Sequence, residues 1–358
     1  MRVLAFVLVA ATAAASCSNA APTARPTTPA EKESSTLKRL AHDDLFEGSV
    51  LVARNGRVLL EGGFGMADRG LLTPNGPTTR FRIGSVSKQF TAMAILMLEK
   101  QGRLHVSDPV CVHLSGCPQL WAQVTMEELL NHTAGIENYP YDQPDLFDRV
   151  RQPITPVEQV AQAGERPLIH PPGTAWSYCN VCYAALGLVV EKEAGTTLAH
   201  FLKASVFDPL GMHDTGIDEG YRLPQHAVGY TRRGAVGPAA QLDLTWAYGA
   251  GQMYSTVRDL YRWDLALYGD RLLGGNVLSR LKAGAVATGQ GDALYANGWA
   301  FDSTRGHKRM SHGGAISGFT STIVRYPDDR AVVVVLTNLD GQVQQVWPQL
   351  ENVALPAR

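Results

Sequence analysis

Ser85-Val86-Ser87-Lys88 sets a hydroxyl and an amine three residues apart, and far along the chain Tyr178-Cys179-Asn180 and His312-Gly313-Gly314 add a phenol, a carboxamide, an imidazole and two glycines. Together these types suit acyl transfer. A serine hydroxyl becomes a strong nucleophile only when a neighbour takes its proton. A free lysine or tyrosine, with a pKa near 10, is no base at neutral pH until burial or a nearby charge lowers it. Held in one pocket, the pair can activate the serine and then return the proton to a leaving group. Each signature also has a plain reading when taken singly: a capping serine with a solvated lysine, a surface tyrosine beside an N-capping asparagine, a solvated loop histidine.

The flanking elements decide whether these groups can meet. Phe81-Arg82-Ile83 is a short extended approach, Gly84 permits a sharp turn, and the spacing predicts a helix over 86–101 that Gly102 stops. Ser85 then sits at a helix N-terminus with Lys88 one turn on, their Cβ atoms roughly 5–6 Å apart. Phe90, Met93, Ala94, Met97 and Leu98 form the apolar stripe that seats this helix in a core. The turn-rich stretch 171–177 delivers Tyr178 and Asn180 to the start of a second helix through Leu186 and Val190. His312-Gly313-Gly314 reads as a loop ahead of Phe319 and a strand from Thr322, where the glycines let backbone N–H groups approach a ligand.

In this order, and with Asn131-His132-Thr133-Ala134-Gly135-Ile136 and Gly249-Ala250-Gly251-Gln252-Met253-Tyr254-Ser255-Thr256 between them, the signatures resemble the serine beta-lactamases and penicillin-binding proteins. The likeness is to the class C branch with its related DD-carboxypeptidases and esterases, from about Phe46 to about Gly341. The resemblance implies that Ser85 forms an acyl-enzyme, that Lys88 helps take its proton, and that Tyr178 acts as base, either as tyrosinate or as a proton relay. It implies that Asn180 holds the acyl side chain and orients Lys88, and that the N–H groups of Ser85 and Ala315 form an oxyanion hole beside Gly313 and Gly314. No metal or organic cofactor is required. Tyr248 either lines the acyl pocket or is a structural turn aromatic.

One position departs from the family pattern. Where many members carry Lys-Thr-Gly, this chain has His312, so a permanent cation for a substrate carboxylate is missing. Imidazole titrates near 6.5, and its charge, with any attraction for an anionic substrate, is expected to come and go between about pH 5 and 8. The His variant is more similar to the family's DD-carboxypeptidases, D-aminopeptidases and esterases. The acyl donor stays open among an ester, a D-amino-acid or peptidoglycan-derived peptide and a beta-lactam. A non-hydrolysing penicillin-binding sensor or envelope scaffold is the other class of function, and the intact Ser85, Lys88, Tyr178 and Asn180 argue against it.

With 358 residues, 45% of them hydrophobic, the chain can bury one large core or two fused subdomains; a net charge of -1 provides no basic stripe for nucleic acid. Alternation over 49–54 and 57–62 around Asn55-Gly56 predicts a hairpin, and the valine run over 331–337 predicts a strand covered on both faces. Helical spacing marks 126–131, 183–193, 198–207 and 257–268. The expected architecture is α/β (α+β): an antiparallel sheet flanked by helices, built from both chain ends over about 37–98 and 296–355, with a mostly helical insertion over 99–295. The resemblance makes this a beta-lactamase/transpeptidase-like domain spanning 37–355.

Arg2 and the apolar run over 3–15 read as an export signal over 1–17. Thirteen residues at about 1.5 Å each fall short of the roughly 30 Å of a bilayer core. Ala14 stands where a lipoprotein signal usually carries Leu. Lipidation of Cys17, with attachment to a membrane, and ordinary cleavage near Ala20 or Ala21 both stay open. Residues 18–36 read as a flexible linker. The site would then be periplasmic or on the outer surface. Cys111 and Cys117 are expected to pair, whereas Cys179 and Cys182 either pair or are small buried residues. A zinc site from these first two with His105 and His113 has the wrong spacing. Intact-mass analysis of native protein should show a chain starting at or after Cys17; an uncleaved Met1 would overturn the export reading.

Overall fold

The structure, a computed structural model, describes residues 27–141, 148–220 and 225–355. The expected signal over 1–17, with Cys17, lies outside the described residues. Near the start, Asn55 and Gly56 adopt φ of 52° and 75° and turn strand β1 (Gly48–Arg54) into β2 (Arg57–Phe64), as a two-residue hairpin requires. The C-terminal third supplies β3 (Val286–Ala287), β4 (Leu294–Ala296), β5 (Trp299–Thr304), β6 (His307–Ile316), β7 (Phe319–Tyr326) and β8 (Ala331–Thr337). These form one eight-stranded antiparallel sheet in the order β3-β4-β5-β6-β7-β8-β1-β2. The sheet is built from both ends of the chain, as expected, but it starts at Val286 rather than about 296 because β3 and β4 extend it.

Helices α1 (Pro29–His42), α2 (Lys88–Lys100), α3 (Asn180–Ala194), α4 (Val257–Ala266) and α5 (Val343–Ala354) cover both faces. Strand β8 explains its own valines. Val332, Val334 and Leu336 join the core that contains α2 and α3, while Ala331, Val333 and Val335 join a second core with Leu37 of α1 and Val346 and Leu350 of α5. Among the described residues no helix is long and apolar enough to cross a membrane.

The linker expectation is corrected over 29–36. Thr28 accepts from the Glu31 N–H while the Glu31 carboxylate accepts from the Thr28 N–H, a capping box with Pro29 at the first turn, and Leu37 anchors the resulting helix α1. Low apolar content hid a well-capped helix. The helix expected from 86 instead opens with a 3-10 turn, Gly84–Ser87, before α2 begins.

Where α4 meets the sheet, Arg325 is fully buried and donates from Nε to Asp264 Oδ1 at 2.8 Å. Its guanidinium lies 4.7 Å from the Tyr268 ring centre. Burial still raises the Asp264 carboxyl, with Arg325 opposing it. Removing one partner strands a buried charge, so Asp264→Ala should cost about 3–5 kcal/mol in denaturant unfolding, whereas replacing both residues by apolar ones should cost far less. Equal losses in the two variants would show that the pair is not the source.

Candidate active site

The turn that carries Ser85 is clamped between sheet and helix. Gly84 has φ of 48°, and a Cβ there would lie 2.8 Å from the Ala315 nitrogen of β6. Only glycine allows this approach. The preceding Ile83 carbonyl accepts from the Ser321 hydroxyl at 2.7 Å, and a Cβ on Gly314 would overlap that same carbonyl at 2.0 Å. The backbone nitrogens of Ser85 and Ala315 are thereby held on neighbouring pieces of chain at the mouth of the site.

Lys88 lies beneath the serine with no exposed surface. Its Nζ is 3.2 Å from Ser85 Oγ, 2.7 Å from Asn180 Oδ1 and 3.0 Å from the Ala250 carbonyl. Asn180 is aimed by a residue the sequence reading missed: its N–H and Nδ2 both donate to Asn138 Oδ1, at 2.9 and 3.1 Å, which turns Oδ1 toward the amine. Asn138 follows the quoted 131–136 segment by two residues, a placement that offered a signal. The Tyr178 ring centre is 4.7 Å from Lys88 Nζ. Helix α3 starts at Asn180 with Cys179 as N-cap, so Tyr178 and Asn180 flank a helix start as expected.

Burial sets the protonation of both candidate bases. It holds the Lys88 amine well below its ordinary value and pushes the Tyr178 phenol above its own, with the Ser85 hydroxyl opposing the latter. The neutral amine and the neutral phenol are favoured, which argues for the relay form of Tyr178 over the tyrosinate. A neutral amine has two N–H groups and one lone pair. With Asn180 Oδ1 and the Ala250 carbonyl taking the N–H groups, the lone pair is left for the Ser85 hydroxyl proton.

His312 is not in a loop. It lies inside β6, opposite Ile323 of β7, and is buried. Its Nε2 is 3.0 Å from the Tyr295 hydroxyl and its Nδ1 is 2.6 Å from the Gly313 carbonyl. The carbonyl can only accept, so Nδ1 carries the proton and Nε2 accepts from Tyr295. Burial pulls the imidazole down to about 4, against the Gly313 carbonyl. The expected change of charge between about pH 5 and 8 is therefore corrected: His312 is neutral throughout. Tyr295, on β4, belongs to no motif and had no sequence signal.

Of the two roles open to it, Tyr248 takes the structural one. Its backbone has φ of 26° and its ring lies over Gly187 of α3, where a Cβ would meet it at 2.6 Å. Its neighbours Trp246, Ala247 and Ala250 line a cavity of about 380 Å³ on one side of Ser85, with Tyr141, Val150, Leu242 and Ile316; Tyr248 does not. A second cavity of about 460 Å³ opens on the other side, lined by Tyr178, His312, Gly313, Gly314, Ala315 and Thr320. Strand β6 pairs with β5 only as far as Ser311, so the edge of 312–316 facing these cavities is free to accept a substrate. Cys111 pairs with Cys117 and Cys179 with Cys182, which removes the thiols from the zinc alternative. Among the described residues no three His, Cys, Asp or Glu side chains are grouped to hold a metal.

Known proteins carry the same arrangement of chain. A family model described as Beta-lactamase matches residues 37–355. Penicillin-binding protein 4* of Bacillus subtilis (strain 168) is 30% identical over 330 residues, covering 86% of this chain and 71% of that protein. The penicillin binding protein from Bacillus halodurans superposes with a TM-score of 0.78 at 26% identity, covering 88% of this chain and 99% of that one. A D-stereospecific amidohydrolase from Streptomyces sp. superposes at 0.77 with 26% identity, covering 90% and 98%.

The state of His312 is measurable. Above pH 6.5 folded and unfolded forms are both neutral. Below it the unfolded chain binds the proton first, so stability should fall as pH drops from about 6.5 to about 4, by up to roughly 3 kcal/mol from this group. A nitrogen-15 NMR titration should give a His312 midpoint near 4 and an Nδ1–H tautomer above it. A midpoint near 6.5 would restore the switchable cation.

Proposed function

Because the chain belongs to the Beta-lactamase family and has its serine-hydrolase fold, we propose that it hydrolyses neutral esters or amides through an acyl-enzyme on Ser85. The observation that carries this reading is the buried Lys88 amine, held by two carbonyl oxygens with its remaining direction on Ser85 Oγ. As Ser85 Oγ bonds to the substrate carbonyl carbon, its proton passes to Lys88 Nζ. The carbonyl oxygen takes up negative charge between the N–H groups of Ser85 and Ala315, where each such donor is worth about 3–4 kcal/mol. Tyr178 donates its hydroxyl proton to the leaving oxygen or nitrogen and is reprotonated from Lys88. Water then reverses the sequence and frees the acid.

Neutral His312 favours this substrate class. A penicillin or a peptide ending in free D-alanine brings a carboxylate, and neither cavity is lined by a lysine or an arginine. The likeness to a D-stereospecific amidohydrolase supports an amide among the substrates. The relative named as a penicillin-binding protein favours a second reading, a slow sensor that acylates without turnover. Labelling with a fluorophosphonate followed by recovery of free enzyme supports the hydrolase; labelling without recovery supports the sensor. The two disulfides and the apolar run over 3–15 support export, with Cys17 as lipid anchor or the chain released.

Ser85→Ala is expected to lower ester hydrolysis by about 10³–10⁶-fold and to abolish labelling while the protein stays folded. Tyr178→Phe should reduce amides more than activated esters, since a good leaving group needs no proton. Retention of most activity by Ser85→Ala on every substrate would remove Ser85 from the chemistry. Wild-type kcat/KM for nitrocefin above that for neutral esters would reject the charge argument.

A further inference from the structure

One buried titratable side chain at the site takes no part in the proposed proton transfers. His132 follows Asn131, whose Oδ1 accepts from the Thr133 N–H at 3.2 Å and the Thr133 hydroxyl at 2.7 Å and so closes a tight turn around it. Within that turn His132 has φ of 65°, a left-handed conformation that histidine adopts more readily than most side chains. It faces the stretch that delivers Tyr178. The His132 carbonyl accepts from the Ser177 N–H at 2.8 Å, and its imidazole Nδ1 accepts from the Cys179 N–H at 3.2 Å. One residue thus grips the chain immediately before and immediately after Tyr178.

The ring does more than complete that grip. A backbone N–H can only donate, so Nδ1 carries no proton and the neutral ring has it on Nε2, the reverse of His312. Burial keeps the imidazole well below its ordinary value, and protonation would set an Nδ1–H against the Cys179 N–H. The ring is fully buried, with its centre 4.5 Å from that of Tyr178 and 4.7 Å from that of Tyr295. Nε2 has no hydrogen-bond partner among the described residues. A buried, unpartnered N–H and a left-handed backbone both cost stability, and an apolar ring would fill the same space without the first of these costs. What an apolar ring cannot supply is the acceptor for Cys179. Resting on the hydrolase reading above, we propose that His132 is a positioning residue that fixes Tyr178 for proton donation to the leaving group: Nδ1 holds the backbone after Tyr178 while the ring backs the phenol. His132 lines neither cavity, so it acts through Tyr178 and not on the substrate.

The test is a series of esters of 3-phenylpropanoic acid with 4-nitrophenol, phenol and ethanol as leaving groups, which differ in how much they need a proton. His132→Phe keeps a ring and removes the acceptor. It should lower kcat/KM about 10–100-fold for the ethyl ester and least for the 4-nitrophenyl ester, steepening the dependence on leaving group as Tyr178→Phe does. His132→Asn has an oxygen as far from Cβ as Nδ1 is and tolerates the left-handed backbone, so it should restore most of the ethyl-ester rate. In a Tyr178→Phe background, His132→Phe should change the phenyl-ester rate by less than about twofold. Equal losses on all the esters, or the full loss on top of Tyr178→Phe, overturn the positioning role. In wild-type protein, nitrogen-15 NMR should show His132 as the Nε2–H tautomer with Nδ1 coupled to the Cys179 amide; an Nδ1–H tautomer overturns the proposal whether or not the variants fold. Absence of Ser85-dependent hydrolysis of the 4-nitrophenyl ester overturns the hydrolase reading instead, and the tautomer and the Cys179 coupling still decide whether His132 holds the segment.

Discussion

The desolvation of Lys88 is the constraint around which the molecule is arranged. An ammonium buried this far is costly, and the amine escapes that cost by shedding its proton. Shedding it leaves two N–H groups that must find acceptors, and the fold supplies them from distant parts of the chain. The Ala250 carbonyl belongs to a segment tied down on both sides: the Thr91 hydroxyl of α2 donates to the Gly249 carbonyl, and the Met253 N–H donates to Ser87 Oγ. Asn180 is held by Asn138. Helix α2 is itself buried nearly all round, with Gln89 accepting from the Trp263 indole, so the lysine cannot withdraw toward water.

The sheet fixes the other half of the site by close approach. Strand β6 reaches the Ser85 turn so tightly that Gly84 and Gly314 cannot carry a Cβ, and Ser321 on β7 ties the same turn from behind. The nucleophile is thus located by contacts to helix, strand and loop at once. Such multiple anchoring keeps backbone N–H groups oriented before substrate arrives, which is what charge stabilisation in a reaction requires.

What was legible in the chain follows from range. Ser85 and Lys88 share a helix face because three residues make nearly one turn, and the Asn55-Gly56 hairpin and the doubly covered β8 are encoded by neighbours of neighbours. The state of His312 was not legible, because Tyr295, which fixes its tautomer, is seventeen residues away on a different strand. Likewise nothing local placed His312 in a strand: two adjacent glycines are poor strand formers, and the proximity of Ile83 explains the second of them, Gly314. Which of its two roles Tyr248 takes was not legible either. The turn of chain that contributes Trp246, Ala247 and Ala250 to the cavity rotates Tyr248 onto α3. Helix α1 was a local signal overlooked, since Thr28 and Glu31 have the spacing of a capping box.

The neutral histidine also has a consequence for Lys88. A fixed cation at position 312 would be desolvated in the same closed space, because burial already pulls His132 and His312 down. Like charges that close repel, and the lysine would respond by holding its proton less well or the second cation by seeking water. With imidazole satisfied on both nitrogens, the interior needs no counter-ion and no water to stay neutral. The acidic side chains among the residues lining the first cavity are Asp243 and Asp340, with no lysine or arginine beside them. The polarity of the cleft is therefore set by what the interior excludes as much as by what the rim presents, and an anionic substrate meets repulsion without a compensating contact.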